Sequence, residues 1–190
     1  MNAFLICTGV VALAEIGDKT QLLALVLAAR FKAPIPIILG ILAATLANHA
    51  GAAFLGATLA NWFSGDLFKW VLAISFIAMG VWTLIPDKLD DDDAPATKGG
   101  AFLVTLVSFF LVEMGDKTQV ATLALGAQYH SVLLVAAGTT LGMMIANVPV
   151  VLIGEAAATR LPMKAIHAIA AAIFILLGLM TAASAMGLIG

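Results

Sequence analysis

The chain has 190 residues, 63% of them hydrophobic and 11% charged, with a mean hydropathy of +1.11; a water-soluble domain of this size could not hide so much apolar surface. The formal net charge is −2 and no Lys/Arg-rich run occurs, so a nucleic-acid partner has no electrostatic footprint here. Crossing the hydrocarbon core takes about 20 apolar residues, so the length accommodates about six helices and leaves no room for a separate soluble domain.

In chain order, helices are predicted over 3–29, 37–62 and 67–85, then over 101–127, 132–157 and 165–188. The segments are too long for strands and lack period-two alternation. Breakers separate them: Pro34 and Pro36, Ser64-Gly65-Asp66, the stretch 86–100, and Pro162. Ala12 and Ala14 resemble a signal-peptide cleavage site, but Met1-Asn2 lacks a positive n-region. Residues 3–29 also have a counterpart in mid-chain, so the first segment is read as a retained span. Cys7 stands alone, can form no disulfide within the chain and reads as packing.

The counterpart is part of a tandem duplication. A shift of 98 residues superposes Ala3-Phe4-Leu5 on Ala101-Phe102-Leu103, Glu15 on Glu113, and Gly17-Asp18-Lys19-Thr20-Gln21 on Gly115-Asp116-Lys117-Thr118-Gln119. Gly40 meets Gly138, Gly80 meets Gly178, and Ala47-Asn48 meets Ala146-Asn147 after a slip of one residue. The expected organisation is a first three-helix repeat over 1–86, an acidic linker over 87–100 and a second repeat over 101–190. An odd number of spans per repeat inserts the second copy upside down, so the fold class is an all-α membrane protein of six transmembrane helices arranged as two inverted three-helix repeats. Arg30, Lys32, Lys88, Lys98, Arg160 and Lys164 fall on one side and Lys69 on the other. The positive-inside rule puts the first side, and the linker, in the cytoplasm and both termini outside.

Apart from loop charges, the ionisable residues within the spans are chiefly Glu15, Asp18, Lys19, Glu113, Asp116 and Lys117. Each costs about 2.5–3.5 kcal/mol or more in hydrocarbon, so they are expected to face one another or a wet cavity. Glu15, Asp18 and Lys19 have i, i+3, i+4 spacing and share a helix face. Inverted repeats bring two such faces together near the midplane. Four carboxylates, the amides of Gln21 and Gln119, and Asn48 and Asn147 from the second and fifth segments make an oxygen-rich set suited to calcium, magnesium or manganese. Four carboxylates and two ammoniums sum to −2, which one divalent cation or two protons neutralise; Glu15, Asp18, Glu113 and Asp116 are thereby also candidates for proton coupling. A straight 27-residue helix would be about 40 Å long against a core of about 30 Å, so the first segment is expected to tilt or to break at Gly17. Gly115 is its equivalent, and Pro149 marks an irregularity in the fifth segment.

Blander readings stand beside these. Buried ion pairs can merely hold helices in register, and Asn48 and Asn147 can be interhelical hydrogen bonders. His49 has no counterpart in the second half and reads as a polar contact; Glu155 reads as an interfacial carboxylate, and the acidic run 90–93 as a solvated linker.

The paired segments EIGDKTQ at 15–21 and EMGDKTQ at 113–119 match the E-x-G-D-[KR]-[ST] signature of a family of membrane cation exchangers. Over essentially its whole length the chain resembles the family that includes the eukaryotic Golgi calcium and manganese/proton exchanger and short bacterial manganese exporters. The resemblance implies that Glu15, Asp18, Glu113 and Asp116 bind metal, with Lys19, Thr20, Lys117 and Thr118 completing the motifs. It implies Mn²⁺ as the transported ion, with Ca²⁺ as second candidate, exported across a bacterial inner membrane in exchange for protons. No cofactor is expected; the partners are the divalent cation, protons and the lipid bilayer, and the sequence carries no signal for an oligomeric state. Two other classes remain: a passive cation channel, and a membrane-embedded metal-dependent enzyme. The latter is disfavoured by the lack of HExxH, GxSxG or a soluble substrate domain.

Overall fold

The computed structural model describes residues 2–63, 65–85, 99–153 and 163–189. The acidic run 90–93, Lys88, Lys98, Glu155 and Arg160 lie outside the described residues. Eight helices occupy the described chain: α1 (Asn2–Glu15), α2 (Lys19–Phe31), α3 (Pro34–Trp62), α4 (Asp66–Thr83), α5 (Ala101–Glu113), α6 (Lys117–Tyr129), α7 (Val132–Ile153) and α8 (Met163–Ala185). Among the described residues there is no strand. The helices α3, α4, α7 and α8 are each long and apolar enough to cross a membrane, while α1 and α5 are shorter apolar helices.

The first and fourth sequence segments are therefore each two half-helices joined end to end. Both joints are made the same way. Asp18 N–H donates to the Glu15 carbonyl and Asp116 N–H to that of Glu113, each at 3.1 Å. Gly17 has φ +83° and Gly115 φ +80°, which a β-carbon would oppose. At the second joint Met114 has φ −65° and ψ 116°, so Glu113 to Asp116 form a type II turn. Asp18 and Asp116 then sit extended at the N-caps of α2 and α6. The far ends match as well, with Lys32 and His130 left-handed at φ 49° and 50°. Pro34 opens α3 at a position where a missing N–H costs nothing.

The two halves pack as equivalents. A β-carbon on Gly40 would stand 2.9 Å from the Phe102 carbonyl oxygen, and one on Gly138 2.7 Å from that of Phe4. Gly80 approaches the Ala171 carbonyl as Gly178 approaches that of Ala73, at 2.9 and 2.8 Å from the position of the absent β-carbon. So α3 lies against α5 as α7 lies against α1, and α4 and α8 pack on each other. Backbone-to-backbone approach of this kind is how helices associate where the surroundings are as apolar as their side chains.

Two hydrophobic clusters result. One gathers Cys7, Val10, Phe76, Leu125, Val135 and Phe174 from α1, α4, α6, α7 and α8. The other gathers Leu23, Leu27, Ile41, Val104, Phe109 and Val150 from α2, α3, α5 and α7. The α4–α8 pair belongs to the first cluster alone: it packs on α1 and α6, and touches α2 and α5 at most glancingly. Many large side chains point outward, among them Ile35, Phe54, Ile74 and Leu133, as lipid-facing surfaces require.

We expect Gly138→Ala, whose β-carbon meets backbone, to lower stability by about 1–3 kcal/mol, read as a lower thermal midpoint in detergent. Gly9→Ala, with nothing within 4 Å, should leave the midpoint in place; equal effects would mean the close approaches do not hold the halves together.

Candidate ion site

The two helix breaks bring the duplicated motifs together between the hydrophobic clusters. Glu15, Asp18, Glu113 and Asp116 are all at most 4% exposed, Lys117 is 5% exposed, and the Lys19 side chain is 21% exposed. Each motif is held by the other half. Thr118 Oγ1 donates to Glu15 Oε2 at 2.9 Å, and Asn147 Nδ2 approaches Glu15 Oε1 at 3.5 Å. Lys19 Nζ lies 3.7 Å from Asp116 Oδ1. Lys117 Nζ donates to the Ile85 carbonyl at the end of α4, 2.8 Å away.

The glutamines brace the breaks. Gln21 Oε1 accepts from Gly17 N–H at 2.9 Å, and Gln119 Oε1 from Gly115 N–H at 2.7 Å. These N–H groups belong to the unwound joints and have no helical acceptor. Gln21 Nε2 donates to the Ala146 carbonyl of α7 at 3.0 Å, and Gln119 Nε2 to Asn48 Oδ1 at 3.3 Å. Asn48 Nδ2 donates to the Phe110 carbonyl at 3.0 Å, while Asn147 Nδ2 donates to the Met143 carbonyl at 3.1 Å. Asp18 Oδ1 accepts from the Lys19 backbone N–H at 2.7 Å. Thr122, one turn beyond Thr118, donates to the Thr118 carbonyl.

Several buried atoms of this cluster have no hydrogen-bond partner: Glu113 Oε2, Thr20 Oγ1, Asn147 Oδ1 and His49 Nδ1. Three of the four are oxygen atoms able to ligate a hard cation. Among the described residues no three His, Cys, Asp or Glu side chains close on a single point as a ready-made metal cluster. The carboxylates are instead spread over the two breaks and engaged with partners that would have to yield to an ion.

The sequence did not single out two contacts. His49, fully buried on α3, directs Nε2 to within 3.3 Å of Glu113 Oε1. The helical offset of about 100° per residue separates it from Asn48, so neighbouring residues reach different ends of the second motif. The one ionisable side chain in a predominantly apolar 29-residue helix was the available signal. The second contact is from α8: His167 Nε2 is 2.7 Å from the Ile16 carbonyl, and the Met163 side chain sits against Gly17. The first break is thus covered, whereas Gly115 at the second is exposed. A cavity of about 310 Å³ lies beside that second break, lined by Asn48, Gly51, Phe110, Gln119 and Leu123 among others.

Apolar helices, two of them broken where buried, oppositely charged side chains converge, mark an integral membrane protein with its ionisable groups gathered inside. The chain matches the divalent cation/proton antiporter GDT1 family over residues 3–91 and 101–188, and it belongs to that family. It is 54% identical over 183 residues to a protein of Vibrio cholerae serotype O1 (Classical Ogawa 395) named "Putative manganese exporter", covering 96% of this chain and 91% of that one. No solved structure matches the chain. Members of the family are transporters, and the recognised substrates are a divalent cation and protons.

Gln21→Leu leaves the Gly17 N–H without its side-chain acceptor. We expect a loss of about 1–3 kcal/mol, seen as a lower thermal midpoint and faster amide exchange at Gly17; an unchanged exchange rate would mean that Gln21 does not brace the break.

Proposed function

We propose that this protein exports Mn²⁺, with Ca²⁺ as a secondary cargo, across the bacterial inner membrane in exchange for protons. The observation that carries the reading is the buried, two-part acidic site: four carboxylates against two ammoniums, with Glu113 Oε2 and Asn147 Oδ1 unsatisfied. Such a site is −2 when the acids are ionised. One divalent cation or two protons neutralise it, so the two cargoes compete for the same residues, which is the condition for exchange. Glu15, Asp18, Glu113 and Asp116 would hold the ion, with Asn147, Asn48, Gln21 and Gln119 lending oxygens as their present partners yield. Lys19, Thr20, Lys117 and Thr118 balance charge and steady the carboxylates. The name of the Vibrio relative supports manganese.

In this reading the six spans are α1 with α2, α3, α4, α5 with α6, α7 and α8, arranged as two inverted repeats. The equivalent glycine approaches at a 98-residue offset support it. Lys and Arg counts orient the protein with α2 and α5 toward the cytoplasm and both ends of the chain outside. The α4–α8 pair, seated on α1 and α6, is then the element that shifts to α2 and α5 when access alternates.

Reconstituted into vesicles, the protein should take up Mn²⁺ when the lumen is more acidic than the bath, since protons leaving drive the cation in, and should reverse with the gradient. Flux indifferent to pH would instead make it a channel. Glu15→Gln and Glu113→Gln should each reduce flux to that of protein-free vesicles while the protein remains folded, with Asp18→Asn as a further inactive control. Near-wild-type flux in either Glu variant would remove the two-part site.

A further inference from the structure

His49 is an ionisable side chain at the site that the duplication does not repeat. Aligning Asn48 with Asn147 puts Val148 at its equivalent position, yet His49 is fully buried with Nε2 3.3 Å from Glu113 Oε1. Its counterpart acid, Glu15, is served by hydroxyl and amide donors from Thr118 and Asn147. A strut needed for the fold would be needed in both halves, and Val148 dispenses with it in one. His49 is also poorly satisfied as a strut. Its Nδ1 has no partner, and neither does Glu113 Oε2 beside it, although a buried polar atom left unmatched is costly. The groups that could hold an ion at this end are otherwise oxygens: Glu113, Asp116 and the amide of Asn48.

The chemistry of a lone imidazole among oxygens is selective. Ca²⁺ and Mg²⁺ are bound through oxygen, and imidazole nitrogen adds little for them; first-row transition ions gain from it. We propose that His49 supplies a nitrogen donor to the cation carried at Glu113, and that this donor makes the site prefer Mn²⁺ to Ca²⁺ and Mg²⁺. The inference rests on the exchange reading above and names the residue that sets its cargo. It also explains the asymmetry: a selective ligand is needed once per transported ion, whereas the carboxylates that carry the charge are needed twice.

The test uses the full chain in vesicles under an acid-lumen gradient, with Mn²⁺ uptake measured against Ca²⁺ as competitor. His49→Asn should lower the Mn²⁺ over Ca²⁺ preference by about tenfold while Ca²⁺ flux persists. His49→Cys should shift preference toward Cd²⁺, a soft ion that favours thiolate; a structural strut would give no such gain. An unchanged ratio in His49→Asn, or equal loss of both ions with no Cd²⁺ gain in folded His49→Cys, overturns the proposal. A second measurement does not depend on the His49 variants folding. The chain has three histidines, so in protein carrying His130→Gln and His167→Gln, bound Mn²⁺ should show nitrogen modulation in pulsed electron paramagnetic resonance. Mn²⁺ bound without that modulation rejects His49 as a ligand. Failure of the wild-type protein to couple Mn²⁺ to protons is a separate outcome that overturns the exchange reading on which this one stands.

Discussion

Everything in this molecule answers to the cost of holding uncompensated charge away from water. Four carboxylates and two ammoniums lie between two hydrophobic clusters, the acids almost wholly buried. Desolvating a charge costs several kcal/mol even after relaxation, and attraction to a partner repays this only when geometry is good. Lys19 faces Asp116 at 3.7 Å, a loose pairing, and Lys117 donates to a backbone carbonyl. With all four acids ionised the cluster carries two more negative charges than positive ones, and in the exchange reading a divalent cation or two protons would meet them. On that reading the site would favour holding one cargo or the other, which is what an exchanger requires and what a leak pathway would avoid.

The broken helices are the means by which such a site is built in a membrane. A continuous helix satisfies all its own backbone groups and has nothing to offer an ion; a break exposes four N–H groups at one new end and four carbonyls at another. Here the exposed groups are brought back under control by the motif's own residues, with Gln21 and Gln119 accepting from the glycine N–H groups. The glycine permits the turn, the aspartate starts the next half-helix, and the glutamine braces the joint. One short motif thus encodes the break and its repair, and this is why it recurs as a block instead of as scattered acids.

That block is also why so much was legible in the sequence. The duplication, the helical character, the mid-span breaks and the family all depend on local patterns or on motif identity, which a single chain displays. The carboxylates could be singled out because ionisable residues stand out against apolar spans. Contacts between distant segments could not be. Nothing local told that Gln21 would reach Ala146, that Lys19 would face Asp116 and Lys117 the end of α4, or that His167 would lie on the Ile16 carbonyl. His49 was visible as an oddity, but its value depends on Glu113, 64 residues away, and on the direction in which α3 crosses α5.

The same contacts break the symmetry that the sequence promises. Under the repeat, α1 corresponds to α5 and α6 to α2, so the surface formed by α1 and α6 has an equivalent in α5 and α2. The α4–α8 pair uses only the first of these, covering the break at Gly17 with Met163 and His167 while Gly115 stays exposed. In the exchange reading the second surface would offer the packed pair another seat, and a ligand with different affinity for the two arrangements would move the population between them. A cargo held by the two motifs would be well placed to do so, next to where Lys117 reaches the end of α4 and where Ile16 meets α8. A cation that recruited Glu113 and Asp116 would alter what Lys117 and Lys19 have to neutralise, and so would alter what holds the pair in its seat.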